Sequence, residues 1–283
     1  MDFPFNTIDL LRAFALSAFA GLSTGIGGLF VLRKEAVEQK YLSFSLGLSA
    51  GVMIYISFME MLVNSFNSLS KLYGEKTGGW YSLLAFFGGI AFIALIDHFI
   101  PEEDNPHEMH GLEQMGEEGA LTLEPGSSMP LDKASMLRTG LLSTLAIGIH
   151  NFPEGIASFM SALADPALGV SIAIAIAIHN IPEGISLAIP IKYATGSSKK
   201  AIVAAFLSGL AEPLGALIGF FLLRPYLSES LLAITFGVVA GIMIYISLDE
   251  LLPAAQRMKE HHHHAMGGVV LGLFLMALTL QLL

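Results

Sequence analysis

Eight runs of roughly 18 or more mostly apolar residues, near 8–32, 42–65, 79–99, 137–162, 167–191, 201–223, 230–252 and 266–283, leave this chain few ways to fold. As a helix, each run can cross about 30 Å of hydrocarbon. At that depth the backbone has no water to bond, so it must satisfy its polar groups internally, and runs of this length do so as helices. We therefore expect an all-α membrane protein with eight transmembrane helices in a single transmembrane domain over residues 1–283. Only 13% of the residues are charged, and a soluble core of this size would not need so much apolar surface. The first run follows MDFPFNTID, in which Asp2 and Asp9 stand where a secretory leader would be basic, so a cleaved signal peptide is not expected.

Basic residues orient the spans. The connections after runs 1, 3, 5 and 7 hold Arg33, Lys34, Lys40, Lys133, Arg138, Lys192, Lys199, Lys200, Arg257 and Lys259, ten of the 14 Lys and Arg. Only Arg12, Lys71, Lys76 and Arg224 fall on the other side. This bias predicts a multi-pass protein of the cytoplasmic (inner) membrane with both termini outside. The net charge of −10 is mostly local, because residues 101–132 hold nine Asp and Glu and no Lys or Arg. That segment, within a connection spanning 101–135, reads as an acidic, disordered cytoplasmic loop. The absence of cysteine removes disulfides and thiolate ligands together.

Two repeats then point beyond packing. HNFPEGI at 150–156 returns as HNIPEGI at 179–185, on runs 4 and 5. AGVMIYISFMEML at 50–62 aligns without gaps to AGIMIYISLDELL at 240–252, on runs 2 and 7. Each pair lies on helices of opposite direction, placed symmetrically about the centre of the chain. The pattern implies a 3+2+3 inverted-repeat arrangement, in which runs 1–3 mirror runs 6–8. Inverted repeats can exchange roles when a site opens to alternate sides of a membrane.

The HNxPEG pair supplies the chemistry. On a helix His150 and Glu154 lie four residues apart on one face with Asn151 beside them, and His179, Asn180 and Glu183 repeat the set. Ionisable side chains at membrane depth normally face the bundle interior, a partner or a wet cavity. Two imidazoles, two carboxylates and two amide oxygens in one small space are a ligand set for a divalent metal. Pro153 and Pro182 each remove an N–H and crowd the carbonyl four residues earlier, so both helices should kink beside these side chains. Helix 6 abbreviates the pattern as SGLAEP, with Glu212 as a bridging or fifth ligand. With neutral histidines Glu154, Glu183 and Glu212 sum to −3; one divalent ion leaves −1 and two give +1.

At these residues the chain resembles the ZIP (Zrt/Irt-like) family of metal transporters, most closely its bacterial zinc-uptake branch. The likeness rests on HNFPEG at 150–155, HNIPEGIS at 179–186, ATGS at 194–197 and SGLAE at 208–212, and extends over all eight spans. It implies uptake of divalent metal ions, chiefly Zn2+, by alternating access. It implies a transport site of His150, Glu154, His179, Glu183 and Glu212, with Asn151 and Asn180 completing a second metal position that shares the two motif glutamates. It also implies that helices 1, 4, 5 and 6 move as a unit against 2, 3, 7 and 8. His179 favours zinc, while Fe2+, Mn2+, Cd2+ and Co2+ stay compatible, with one or two ions in the site. The expected partners are metal ions and the lipid bilayer, with no nucleic acid; a homodimer is compatible. The metal is cargo, not a cofactor.

Charges nearer the helix ends mark secondary candidates: Glu60 at the outer end of helix 2, and Asp97, His98, Asp249 and Glu250 at the inner ends of helices 3 and 7. HHHH at 261–264 reads as a solvated connection. His107 and His110 form HExH, which lacks the i, i+4 histidines of the HExxH metalloprotease motif. An intramembrane metalloenzyme is the competing class, since zinc on His and Glu can activate water. A set of up to five protein ligands leaves no open position for catalysis, so no enzyme is expected.

Overall fold

The computed structural model describes residues 6–32, 39–98, 133–223, 226, 228–257 and 262–282. The acidic segment through Asp132, with His107 and His110, lies outside the described residues, as do His261 and the side chain of His150. Among the described residues every regular element is helical. Seven stretches are long and apolar enough to cross a membrane: Thr7–Leu32, Lys40–Tyr73, Glu75–His98, Pro166–Lys192, Ser198–Leu222, Glu229–Gln256 and His262–Leu282. A further helix, Lys133–Ala164, is 32 residues long and carries the first HNxPEG motif.

In chain order the helices are α1 (Thr7–Leu29), α2 (Gln39–Ile56), α3 (Leu62–Tyr73), α4 (Glu75–His98), α5 (Lys133–Ala164) and α6 (Pro166–Thr195), then α7 (Ser198–Gly209), α8 (Ala211–Leu223), α9 (Glu229–Ile246), α10 (Leu252–Arg257) and α11 (His262–Leu282). Local chemistry sets their starts. Asn6 and Asp9 form a reciprocal capping box on α1, with Asn6 Oδ1 accepting from Asp9 N at 2.9 Å. The ATGS motif is a turn. Gly196 takes a left-handed φ of 64° to end α6, and Ser197 Oγ accepts from Lys200 N at 3.3 Å to start α7.

The long-range sequence repeat has a backbone counterpart that hydropathy does not reveal. Both copies carry a π-helical turn, Ser57–Met61 joining α2 to α3 and Ser247–Leu251 joining α9 to α10. In each, the leading serine donates to the carbonyl four residues back, Ser57 to Met53 and Ser247 to Met243, both at 2.7 Å. Such back-bonding competes with the helical ladder and bends it, and single π turns are frequent at functional sites.

Packing groups the helices into two blocks, which meet chiefly where α2 lies against α6 and Ser49 Oγ donates to the His179 carbonyl at 3.3 Å. One holds α1, α5, α6, α7 and α8; the other holds α2, α3, α4, α9, α10 and α11. The pattern is preserved when the two halves are exchanged: α2 lies along α11 as α9 lies along α4, and α1 lies along α6 as α8 lies along α5. Glycines set the tight crossings. A Cβ on Gly27 or Gly184 would strike the carbonyl of Ile181 or Thr24, and one on Gly215 or Gly155 that of Phe152 or Glu212. In the other block Gly51 meets the Val269 carbonyl and Gly241 that of Phe86. Every such glycine–carbonyl contact among the described residues joins helices of the same block. Between the blocks, an open apolar groove of about 610 Å³ runs past Phe92 and Ile96 of α4 and Leu145 and Phe152 of α5.

Candidate metal centre

The turn between α5 and α6 is a single residue, Asp165, whose carboxylate accepts from Ala167 N at 2.7 Å and Leu168 N at 3.2 Å. Pro166 sits at the first helical position, where its missing N–H is harmless. His150 precedes this turn by 15 residues and His179 follows it by 14. At 1.5 Å per residue both motifs lie roughly 20 Å from the turn, and so at one depth. The sequence spacing and the hairpin together bring the motifs level.

Side chains then join across the helices. His179 is fully buried, its Nδ1 lies 3.1 Å from the Ala175 carbonyl, and its Nε2 lies 3.3 Å from Glu154 Oε2. If Nδ1–H donates to that carbonyl, a neutral ring turns the Nε2 lone pair toward a carboxylate, an arrangement completed by a proton or a metal cation. A carbonyl orienting the far ring nitrogen is the usual support of a metal-bound histidine. Asn180 Nδ2 donates to the Ala20 carbonyl at 3.1 Å and to Glu212 Oε1, tying α6 to α1 and α8. Asn151, Asn180, Glu183 and Glu212 are fully buried and Glu154 nearly so.

Glu212 reaches this point because its span is broken. Pro213 has no N–H to return to Gly209, and the helix divides there into α7 and α8 around Leu210. By contrast α5 and α6 continue through Pro153, Pro182 and Pro190 as unbroken helices.

Several buried oxygens in this space have no protein partner among the described residues: Asn151 Oδ1, Glu154 Oε1, Asn180 Oδ1 and Glu212 Oε2. Leaving such atoms unsatisfied costs about 1–3 kcal/mol each, more when charged. A cation bound among them removes that cost, so the donor set suits a divalent metal. The side chains meet as pairs in this conformation. Among the described residues no three His, Asp or Glu side chains converge closely enough to hold an ion together.

The secondary candidates are carried by elements of the other block. Glu60 is half-buried in the first π turn, its carboxylate accepting from Asn64 Nδ2 at 2.9 Å. Asp97 and Asp249 both bear on the Tyr245 hydroxyl, which donates to Asp97 Oδ2 at 3.2 Å. Glu250 is buried and Asp249 exposed, both within the second π turn. His262, His263 and His264 form the exposed first turn of α11 instead of a linker. The hydrogen bonds from Asn180 and the break before Ala211 escaped sequence reasoning. Pro213 was the signal for the second.

Among the described residues, an all-helical bundle with seven helices long and apolar enough to span a membrane, and with buried carboxylates, amides and a histidine inside it, defines a multi-pass membrane protein. The family described as ZIP Zinc transporter matches residues 9–280, and the chain belongs to it. Proteins named Zinc transporter ZupT are similar throughout: that of Chlorobium chlorochromatii is 54% identical, covering 98% of this chain and 99% of the relative. Those of Clostridium perfringens and Corynebacterium glutamicum are 49% and 47% identical, covering 98% and 96% of this chain and 98% and 99% of the relatives.

Proposed function

We propose that this chain imports divalent cations, chiefly Zn2+, across the cytoplasmic membrane through a site formed by His150, Asn151, Glu154, His179, Asn180, Glu183 and Glu212. The site holds one or two ions and takes Fe2+, Mn2+, Cd2+ and Co2+ as lesser cargo. In this reading α5 is the eighth span, the spans form a 3+2+3 inverted repeat, and both termini lie outside. The block of α1 and α5 to α8 carries the site and rocks against the other block, exposing it to alternate sides. Glu60 receives ions at the outer end, and Asp97, Asp249 and Glu250 accept them at the inner end.

One observation carries the reading: two HNxPEG motifs brought level by a one-residue hairpin, with carboxylate and amide oxygens of Asn151, Glu154, Asn180 and Glu212 that lack partners among the described residues. The glycine contacts confined to each block support relative movement of the blocks. The relatives' names bear on the cargo. An inside-negative potential favours a divalent ion's passage by roughly 4.6 kcal/mol per 100 mV, twice the value for one charge. Uptake then needs no nucleotide hydrolysis.

Proteoliposome uptake over a zinc titration tests this. Wild-type protein is expected to accumulate Zn2+ in response to an inside-negative potential. His179→Ala should raise the half-saturating concentration by about tenfold or more, the scale of a lost metal contact. Replacing His261, His262, His263 and His264 by Ser should leave it within about twofold, since His262, His263 and His264 are exposed and water replaces such imidazoles at little cost. Metal-dependent hydrolysis without flux would overturn the proposal. Loss of affinity in the four-serine variant alone would move the site elsewhere. A flexible linker in place of residues 102–132 should preserve uptake, because the segment is poor in apolar anchors. Abolished flux in that protein, once correctly inserted, would assign the segment a part in conduction.

A further inference from the structure

The crossing of α1 with α7 and α8 contains a reciprocal contact. A Cβ on Gly21 would strike the Gly209 carbonyl, and one on Gly209 the Gly21 carbonyl. One turn beyond each glycine the facing helix is overlaid by the other's side chain. A Cβ on Gly21 would lie 3.2 Å from Glu212 Cβ, and one on Gly209 would lie 3.1 Å from Thr24 Cβ. The local sequences AGLSTGIG at 20–27 and SGLAEPLG at 208–215 align on these contacts, pairing Gly21 with Gly209, Gly27 with Gly215, and Thr24 with Glu212. The same exchange pairs Asn151 with Asn180, Phe152 with Ile181, and Gly155 with Gly184. It maps the Gly184–Thr24 contact onto the Gly155–Glu212 contact. Thr24 therefore occupies, in the first half of the chain, the position Glu212 holds in the second.

The two halves differ in how that position is satisfied. Glu212 is held by Asn180, whose amide also donates to the Ala20 carbonyl. The matching amide, Asn151, has no hydrogen-bond partner at either polar atom among the described residues, and neither has the Thr24 hydroxyl. Both side chains are fully buried. A helical threonine normally donates to the carbonyl four residues back, which here is Ala20. That carbonyl, already part of the helical ladder, also accepts from Asn180 Nδ2 at 3.1 Å and Ser23 Oγ at 2.5 Å, and the Thr24 hydroxyl makes no bond to it. The exchange that carries the Asn180–Glu212 pair onto Asn151 and Thr24 thus finds an unused amide and an unused hydroxyl at the corresponding places.

We propose that Thr24 is a specificity-determining residue of the metal site, its hydroxyl oxygen joining Asn151 to make a neutral, oxygen-only position for cations opposite the Asn180–Glu212 pair. This rests on the metal site proposed above and adds a ligand from α1 to it. Neutral oxygens favour hard ions such as Mn2+ over Zn2+, which draws more from imidazole. Thr24 thus widens the range of ions accepted without adding a fourth buried carboxylate to Glu154, Glu183 and Glu212.

The experiment compares Mn2+ and Zn2+ uptake by wild type, Thr24→Val, Thr24→Ser and Glu154→Ala in proteoliposomes, each normalised to inserted protein. Thr24→Val keeps the volume and removes the oxygen. It is expected to lower kcat/KM for Mn2+ relative to Zn2+ by about tenfold, mainly through KM, and Thr24→Ser should restore the ratio. Mn2+-induced thermal stabilisation in detergent should fall in parallel. Should Thr24→Val fail to insert, Thr24→Ala is read in the same way. An unchanged ratio in Thr24→Val, with Glu154→Ala inactive, overturns the role of Thr24 and leaves the site standing. Equal loss in Thr24→Val and Thr24→Ser also overturns it, since packing and not oxygen would then be at stake. Sustained uptake by Glu154→Ala removes the site itself, and this proposal with it.

Discussion

Zinc uptake is expected to fall to background when Glu154 or Glu183 is replaced by Ala, while the metal-free protein keeps its fold. Each carboxylate is buried on a helix beside a motif asparagine, and Glu154 also meets His179 of the other helix at 3.3 Å. Removing either takes one negative charge from a set of three that must offset a divalent ion. The expected loss in uptake is at least about a hundredfold, the upper range for disturbing metal coordination. Stability should move differently from activity. Glu154→Ala should lower the apo melting temperature modestly, because it leaves the buried His179 Nε2 without its partner and empties part of the core, a loss far smaller than the loss of uptake. The rise in melting temperature on adding Zn2+ should disappear in both variants. Uptake near the wild-type rate in either inserted variant would refute the assignment.

Gly155→Ala and Gly184→Ala are expected to disable the protein by a different route. A Cβ at these positions would overlap the Glu212 and Thr24 carbonyls, so α5 must part from α8, or α6 from α1. Forcing atoms into such a contact costs about 1–3 kcal/mol or more. The same shift moves Glu212 away from the α5 motif, so transport should fall together with thermal stability. Gly148 provides the contrast, because a Cβ there meets nothing within 4 Å. In a helix with room for a methyl group Ala is favoured over Gly by roughly 0.5–1 kcal/mol, so Gly148→Ala should be neutral or slightly stabilising. Melting curves and uptake for the three variants check the pair of expectations. Equal behaviour of Gly148→Ala and Gly155→Ala would show that the crossing tolerates separation.

Features with a local signature were legible in the sequence. Hydropathy located the described spans to within a few residues at most ends, because length and apolarity alone decide membrane crossing. The second span was the exception: the helix persists to Tyr73, eight residues past the expected end, as an amphipathic extension that hydropathy discounts. The HNxPEG pair was legible because polar residues are conspicuous in an apolar run. What escaped depends on two segments meeting. The bond from Asn180 to Glu212 and the Gly21–Gly209 crossing are tertiary facts that no single stretch encodes. The kinship of Thr24 with Glu212 was hidden because the side chains differ in charge and only their glycine frame is shared.

The hairpin at Asp165 gives the chain a ruler. One residue inserted or deleted between the motifs would slide one along its axis by about 1.5 Å and swing it round by about 100°. His179 would then turn from Glu154 toward lipid or a neighbouring helix. No small adjustment of side chains could recover the meeting, because Pro166 and the Asp165 cap fix where the second helix starts. Insertions and deletions should therefore be filtered from this one bend, whatever length the acidic segment reaches. A repeat interval of 29 residues is the metric trace of that constraint, legible in any chain that must hold two polar motifs at equal depth.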